Sequence, residues 1–240
     1  MLGRTTDNPE SADDRQENSM TYDGTVTPGD PPATRDIGIA RISKISVSDM
    51  HNNVYLITDA ATGDALLIDA ANEWPAIRAM IEADGGRVTH LATTHRHFDH
   101  VGALPEAARE TGAQLLAGTD DAEHLPVPVD RGLHDGDTVQ VGDLRFDVVV
   151  LRGHTPGSIA LSVRGTDGGT HLFTGDSLFP GGVGATNRYD YQSFPQLIDD
   201  VEERIFGRYD DNTWVYPGHG DDTTLAAERP HLAEWRERGW

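Results

Sequence analysis

The sequence contains no cysteine and only one lysine, Lys44, among its 240 residues. Disulfide bonds and thiolate metal sites are therefore excluded, and a metal ion would have to be bound by histidine, aspartate or glutamate. No apolar run approaches the roughly 18 residues of a membrane-spanning helix, and residues 1–20 lack the apolar segment of a signal peptide. We therefore expect no membrane partner and a cytoplasmic location.

Basic residues are scarce in general. The chain has 40 acidic and 19 basic residues, which gives a formal net charge of −21. Because such a surface repels phosphate groups, nucleic acid and anionic membranes are disfavoured as partners. We expect a small-molecule substrate, and a homodimer is compatible with the sequence. Adaptation to high salt is one explanation of the acidity that the sequence leaves open.

The composition changes near residue 36. Residues 1–35 are polar, acidic and rich in Pro, Gly, Thr and Asp, and such a segment buries little apolar surface. We predict a mostly disordered tail there, part of which can lie along the rest of the chain. Residues 36–240 are predicted to form one domain, which is long enough to bury a core.

The apolar pattern of this domain predicts a mixed α/β fold. Helices are predicted over residues 73–83, 101–110, 196–206 and, with an interruption near Pro230, 224–240. Strands are predicted for IARISKISV, NVYLIT, ALLIDA, RVTHLATT, AQLLAG, TVQVG, LRFDVVVLRG, SIALSVRG, THLFTG and TWVYPG. This order of elements is typical of sheets packed together with helices outside them.

Potential metal ligands are concentrated in TTHRHFDHVG, which follows a predicted strand. If the chain is still extended there, His95 and His97 point the same way, because side chains alternate along a strand. Asp99 and His100 then fall at the turn into the next helix and can face a point beside the first pair. This geometry suits two adjacent metal sites, although a polar surface turn would explain the segment by itself.

Three more residues of ligand type follow predicted strands. His154 lies in GHTPGS after FDVVVL, Asp176 lies in FTGDS after HLF, and His219 lies in PGHG after TWVY. The glycines and prolines around them form tight turns that hold a side chain in a fixed direction. Ligands at four strand ends predict a site at one edge of a sheet and disfavour the surface-turn interpretation.

Together, HxHxDH, GHTPGS, TGDSLF and PGHG resemble the metallo-β-lactamase-fold hydrolase superfamily in order and spacing, over about residues 37–220. The residues of these motifs are most similar to those of the glyoxalase II-like branch. The resemblance implies an αββα four-layer sandwich with two metals at one edge. It also implies seven ligands: His95, His97 and His154 for one metal, Asp99, His100 and His219 for the other, and Asp176 as a bridge. Asp69, at the end of ALLID, matches an acidic residue that orients a ligand histidine.

The same resemblance implies hydrolysis of a small thioester or ester, as by a hydroxyacyl-thiol hydrolase. A hydroxide held between two zinc ions would attack the acyl carbon and Asp99 would help to orient it; iron or manganese are alternative metals. Asp176 favours the glyoxalase II and lactonase branches, because the best-known β-lactamases carry Cys or Ser there. Glyoxalase II has a longer helical region with basic residues for glutathione, whereas about twenty residues follow PGHG here. Another thiol carrier or ester therefore stays open.

Other activities on this fold also stay open: a β-lactamase, a lactonase, or a persulfide dioxygenase with one iron on His95, His154 and Asp176. A nucleic-acid-processing relative is disfavoured by the net charge and by the lack of room for an inserted domain. A binding or structural relative with a vestigial site is disfavoured because all seven ligand types are present.

The segment after GGVGAT supplies candidate substrate contacts, namely Arg188, Tyr189 and Tyr191, with an ordinary surface loop as the alternative. The remaining histidines are interpreted as surface or hydrogen-bonded residues without a metal: His51, His90, His124, His134, His171 and His231. Among these six, His51 stands apart because its segment, DMHNNVYLI, lies where members of the resembled family approach the pocket.

Overall fold

Two β-sheets pack face to face in the computed structural model, which describes residues 22–239. The first sheet has seven strands that neighbour one another in chain order. These are β1 (Ala33–Asp36), β2 (Ala40–Val47), β3 (Asn52–Asp59), β4 (Asp64–Ile68), β5 (Arg87–Thr93), β6 (Gln114–Gly118) and β7 (Arg131–Leu133).

Eight further strands follow along the chain. They are β8 (Thr138–Val141), β9 (Leu144–Val150), β10 (Ile159–Arg164), β11 (Thr170–Gly175), β12 (Leu178–Phe179), β13 (Gly182–Val183), β14 (Thr213–Pro217) and β15 (Thr223–Thr224). The pair β12 and β13 forms a separate ribbon, and the other six form the second sheet in the order β15-β14-β11-β10-β9-β8.

Helices cover the outer faces of the sheets. The α-helices are α1 (Trp74–Asp84), α2 (Leu104–Thr111), α3 (Thr119–Ala122), α4 (Phe194–Asp200), α5 (Leu225–Glu228) and α6 (Leu232–Arg238). Two 3₁₀ turns lie at Phe98–His100 and Arg229–His231, and a π-helix spans Val201–Phe206. No helix within the described part of the chain is long and apolar enough to cross a membrane.

Because side chains alternate along a strand, the two faces of each sheet contribute to different apolar cores, of which there are three. In β3, Tyr55 and Ile57 face the core between the two sheets, whereas Val54 and Leu56 face the outer core under α1 and α2. A third core joins the outer face of the second sheet to α4, the π-helix and α6. Such alternation is the period-two signal that predicted these strands. The layers therefore follow the order helix, sheet, sheet, helix, and the predicted αββα sandwich is confirmed.

The described part of the N-terminal segment lies along the domain, as the prediction allowed for part of the tail. Residues 1–21 lie outside the described residues. Within residues 22–35, Tyr22 packs against the central core and β1 pairs with β2. One cause is Lys44, whose fully buried Nζ needs hydrogen-bond acceptors. The carbonyl of Gly24 supplies one at 2.7 Å, so the segment lies along the domain.

The helix predicted over residues 196–206 begins earlier and changes its winding. Ser193 caps it, because its Oγ accepts from the backbone N–H of Gln196 at 3.3 Å, and Pro195 lies in the first turn. The last six residues wind as the π-helix. The cap was available in the sequence, whereas the wider winding has no local sequence signal that we can identify.

Other differences are small. The helix predicted from residue 101 begins at Leu104, because a 3₁₀ turn comes first. The C-terminal helical region is interrupted near Pro230, as predicted. Strands β1, β7, β12, β13 and β15 and helix α3 were not predicted. Each has two to four residues, too few for a periodic pattern to be recognised.

Candidate metal centre

Five strands bring their C-terminal ends to one edge of the sandwich. In the first sheet β4 and β5 are parallel neighbours, and in the second sheet β11 and β14 are parallel. Strand β9 runs in the same direction as β11, because both are antiparallel to β10. The loops after β5, β9, β11 and β14 carry the seven predicted ligands, and the loop after β4 carries Asp69. Strand direction therefore explains why residues distant in sequence meet.

His95, His97 and His154 form the first group, whose nitrogen atoms lie within 4.8 Å of one another. His95 Nδ1 lies 3.0 Å from Thr94 Oγ1, and that hydroxyl donates to Asp69, so the imidazole is the donor to the hydroxyl. His154 Nδ1 donates to the carbonyl of Ala185 at 2.8 Å. In both residues the lone pair is thereby assigned to Nε2, the nitrogen that faces the group.

Asp99, His100 and His219 form the second group, whose ligand atoms also lie within 4.8 Å of one another. In this group too, each histidine donates a hydrogen bond from Nδ1. His219 donates to the carbonyl of Met50 at 2.8 Å, and His100 donates to Asp69 at 2.9 Å. The two Nε2 atoms then face each other at 3.1 Å. Two such lone pairs repel unless a proton or a metal cation lies between them.

Asp176 lies between the two groups. Its Oδ2 is 3.5 Å from His154 Nε2 and 3.4 Å from His219 Nε2, and its Oδ1 is 3.4 Å from His100 Nε2. One carboxylate therefore contacts members of both groups, as expected of a bridging ligand. The structure brings all seven predicted ligands together, while their role as ligands stays a prediction.

Asp69 lies below the centre in a left-handed backbone conformation, with φ of 56°. Its carboxylate accepts from the backbone N–H and the hydroxyl of Thr94, both at 2.7 Å, and from His100 Nδ1. Although Asp69 lies close enough to His95 and His100 to be counted with them as a ligand group, its oxygens are already used by these donors. Its contacts are those of a residue that orients ligand histidines, the predicted role.

The electrostatics of the two groups differ. Burial lowers the pKa of His95 well below its usual value, lowers that of His97 to about 4, and also lowers that of His154. For His219 burial opposes the charged form, but hydrogen bonds to Asp176 and Asp99 raise the pKa to about 9. The first group is therefore neutral near pH 7 without a metal, whereas the second group holds protons between its carboxylates.

The carboxylates show the complementary effect. Burial opposes the charged form of Asp176, but the charge of His100, whose Nε2 lies 3.4 Å from Asp176 Oδ1, holds the pKa of Asp176 well below the usual range. Burial likewise opposes ionisation of Asp99, and hydrogen bonding to His219 outweighs it, so that its pKa is also lowered. Both carboxylates are therefore ionised and available as oxygen ligands.

These residues fit divalent metal ions. Three buried atoms at the centre have no hydrogen-bond partner among the described residues, namely His95 Nε2, His154 Nε2 and Asp176 Oδ1. Buried polar atoms without partners are costly, and they are concentrated where the two groups meet. Imidazole nitrogens and carboxylate oxygens are donors that zinc, iron and manganese accept.

A cleft of about 420 Å³ opens onto the centre. Arg188 and Tyr189, two of the candidate substrate contacts, line it. Tyr191 is not among the residues that line the cleft. Its ring stacks on that of Tyr189, with centroids 5.2 Å apart, and its hydroxyl is 3.0 Å from His97 Nε2. Tyr191 therefore contacts a predicted ligand, and Nδ1 of His97 is the nitrogen left for a metal.

Several supporting residues were not found from the sequence. Asn52 donates to Asp99 at 3.1 Å. Asp121 accepts from the backbone N–H of Arg96, the residue between two ligands of the first group, and from the Thr155 hydroxyl and the Gly157 N–H beside His154. The run of polar residues HNN at the start of β3 is a weak signal for Asn52. No signal in the sequence distinguishes Asp121 from the other acidic residues of its segment.

Lys44 supports the second group in a comparable way. Its Nζ donates to the carbonyl of Gly220, the residue after His219, at 2.8 Å and to Asp222 at 2.7 Å. Asn53 donates to the same Gly220 carbonyl at 2.9 Å. The loop that carries His219 is therefore held by hydrogen bonds from two buried side chains, Lys44 and Asn53.

The other histidines were predicted to lack a metal site, and they do not belong to the groups described above. His51, His90, His124, His134, His171 and His231 are absent from every cluster of ligand atoms in the described residues. His51 lies in the turn between β2 and β3, where its backbone carbonyl accepts from the N–H of Gly220, while its neighbours Met50 and Asn52 contact His219 and Asp99.

Comparison with known proteins agrees with this picture. The sequence model of the metallo-beta-lactamase superfamily matches residues 47–227. A curated relative named hydroxyacylglutathione hydrolase, from Fuscovulum blasticum, is 40% identical over 133 residues, which are 55% of this chain and 50% of that protein. The chain thus spans about half the length of the curated relatives it matches.

Solved structures share the fold over most of the chain. ETHE1 from Myxococcus xanthus has 30% sequence identity and a TM-score of 0.72, covering 82% of this chain and 84% of that one. The protein TTHA1623, solved in a di-iron-bound form, has 27% identity and a TM-score of 0.66, covering 78% and 96%. Because the family match extends over most of the chain and the fold agrees with it, the chain belongs to the metallo-beta-lactamase superfamily.

Proposed function

We propose that this protein is a dinuclear metal-dependent hydrolase that cleaves a small thioester or ester. The observation that carries the proposal is the position of Asp176, whose two oxygens contact histidines of both groups. A carboxylate shared by two three-residue groups suits a pair of metals with a substrate bound above them. The cleft that opens onto the centre has room for a small molecule.

The names of the relatives support the thioester class. Hydroxyacylglutathione hydrolases act on a thioester by name, and they are similar to about half of this chain. We do not extend their thiol carrier to this protein, because the similarity covers only half of their length. We therefore propose an acyl thioester of a small thiol, or the corresponding ester, as the substrate class.

In the proposed reaction, water adds to the acyl carbon, the C–S or C–O bond breaks, and a proton passes to the leaving thiolate or alkoxide. Bound divalent metals would supply an acidified water and polarise the acyl carbonyl. Asp99 lines the cleft and its Oδ2 is held by Asn52, so its carboxylate is placed to orient the attacking water. Asp69 and Thr94 hold His100 and His95 by Nδ1, in the orientation that turns Nε2 of each towards the position of a metal.

We propose two zinc ions per chain. The nitrogen and oxygen ligands are equally compatible with iron or manganese, and the similarity to a protein solved with two irons supports iron as an alternative. The two groups predict two metals per chain, and elemental analysis of the purified protein measures this number directly.

A mono-iron dioxygenase is the second candidate. Asp176 Oδ2 lies 3.5 Å from His154 Nε2 and 3.9 Å from His95 Nε2, so two histidines and one carboxylate converge as in non-haem iron sites. One iron per chain, with consumption of oxygen and a persulfide substrate, would favour this candidate. Two metals and hydrolysis would exclude it. A panel of thioesters, lactones and β-lactams distinguishes the hydrolase activities from one another.

The variant Asp176→Asn tests the proposal most directly. It keeps the shape of the side chain but removes the charge that both groups contact, so we expect loss of metal and a fall in kcat/KM of more than about 100-fold. The exposed Asp120 provides a control, since Asp120→Asn should leave metal content and activity unchanged. Full activity of Asp176→Asn without metal would refute the dinuclear mechanism.

A further inference from the structure

Exposed apolar side chains are concentrated at the mouth of the cleft. Among the described residues, the exposed large hydrophobic side chains are Met50 (43%), Phe98 (69%), Tyr189 (44%) and Tyr191 (37%). Met50, Phe98 and Tyr189 line the cleft together with the partly buried Phe179, and Tyr191 stacks on Tyr189. Large apolar side chains are seldom left in water without a binding role when they form a continuous patch.

The residues of this apolar surface adjoin the metal centre. Phe98 lies between the predicted ligands His97 and Asp99, and the backbone carbonyl of Met50 accepts from His219. The ring of Tyr189 stacks on that of His97, with centroids 5.1 Å apart. The apolar surface therefore adjoins the loops that carry the predicted ligands.

The charges around the cleft point to a substrate with few negative groups. Arg188 is the arginine that lines the cleft, and the chain's single lysine is buried elsewhere. The chain also carries a net charge of −21. A carrier with several carboxylates or phosphates would meet one cation and a repulsive field. A substrate with an apolar group and at most one carboxylate is favoured.

We propose that Met50, Phe98, Phe179 and Tyr189 form an apolar subsite that recognises an alkyl or aryl group on the acyl part of the substrate. This inference rests on the proposed hydrolase function and adds a substrate class to it. The acyl group is assigned to the subsite because Phe98 lies between the predicted ligands His97 and Asp99, and the carbonyl of Met50 accepts from the predicted ligand His219. Both residues therefore lie beside the position where the scissile carbonyl would bind.

The test compares two thioesters of one neutral thiol, S-phenylacetyl- and S-acetyl-N-acetylcysteamine, with the zinc-loaded protein. We expect kcat/KM to be at least about tenfold higher for the phenylacetyl thioester, because apolar surface is buried only with that substrate. The variant Phe98→Ser should lower this ratio about tenfold, whereas Phe98→Leu should keep most of it. Val127, an apolar residue packed against the outer core of the first sheet, gives the control Val127→Ser, whose ratio should equal that of the wild type.

Failure of this inference can be told apart from failure of the proposed function. Hydrolysis of both thioesters at equal kcat/KM, or a ratio unaffected by Phe98→Ser, would overturn the apolar subsite while leaving the hydrolase intact. If no thioester or ester is cleaved, the hydrolase proposal fails, and calorimetric binding of phenylacetate and acetate tests the subsite by itself. Tighter binding of phenylacetate that is lost in Phe98→Ser supports the subsite, and equal affinities overturn it.

Discussion

The two ligand groups lie side by side but differ in the protonation of their histidines before a cation binds. The first group, His95, His97 and His154, has only nitrogen atoms, and burial keeps its imidazoles neutral. The second group pairs His100 and His219 with Asp99, and its histidines hold protons in place of a metal. Metal binding by the first group thus displaces no proton near neutral pH, whereas binding by the second group must release protons.

The supports of the two groups differ as well. Asp121, a buried carboxylate that accepts hydrogen bonds, ties together the two loops of the first group. Lys44, a buried cation that donates them, ties the loop of His219 to the N-terminal segment. One charged residue of opposite sign therefore supports each group, and the groups can be perturbed separately.

Removal of one ligand from each group should have the largest effect on metal content and activity. His154→Ala should lose the metal of the first group and His219→Ala that of the second, each with a fall in kcat/KM of more than about 100-fold. Elemental analysis should find one of the two expected metals in each variant, and the exposed His124 gives the control His124→Ala. Loss of both metals in both variants would mean that the groups do not bind independently.

Changing the supports should give smaller and selective effects. Asp121→Asn should weaken metal binding by the first group about 10- to 100-fold, because the loops of His95, His97 and His154 lose a shared acceptor. Lys44→Met should weaken binding by the second group similarly and lower the free energy of unfolding by about 3–5 kcal/mol, because the buried carboxylate of Asp222 loses its cation and keeps only the hydrogen bonds from Tyr22 and Trp214. Competition titration with a metal-binding dye and urea unfolding measure the two quantities. Equal weakening of both groups by either variant would contradict the separation.

In the metal-free protein, the free energy of unfolding should depend on pH with opposite signs for the two groups. The pKa of His97 in the folded chain is about 4, below its ordinary value of 6.5, so the unfolded chain binds more protons between these values. Stability due to His97 therefore rises with pH in that window. His219, with a pKa of about 9, is protonated more in the folded chain above pH 6.5, so its contribution is present below that pH and is lost as pH rises through about 9.

Urea unfolding of the metal-free protein across pH 4–9 checks both slopes. In a plot of the free energy of unfolding against pH, His97→Gln should reduce the slope of the acidic part and His219→Gln should reduce the slope of the alkaline part. A change in the same part of the curve for both variants would contradict the electrostatic difference between the groups.

Tyr191→Phe should have the smallest effect. It removes the hydroxyl that lies 3.0 Å from His97 Nε2 but keeps the ring that stacks on Tyr189. One hydrogen bond contributes about 0.5–1.5 kcal/mol, so the affinity of the first group for metal should fall about two- to tenfold. The affinity of the second group should stay unchanged, and the same dye competition measures both.

The sequence predicted the centre better than its surroundings. The seven ligand types were found because ligand chemistry recurs after strands with glycine and proline turns, and strand direction then brings them to one edge. Asp121 and Lys44 were missed because a charged residue is ordinarily a solvated one, and no local pattern marks its burial. The contacts of residues 22–35 with the domain were not located from the sequence for the same reason, since they depend on an acceptor that Lys44 needs.

The burial of Lys44 has a consequence for chemical modification. This side chain carries the chain's one lysine amine, and it is fully buried with three acceptors around Nζ. An amine-selective acylating reagent can react at Lys44 only after β2 separates from the loop that follows β14. Mass-spectrometric labelling at this single position would therefore measure the rate at which the sandwich opens.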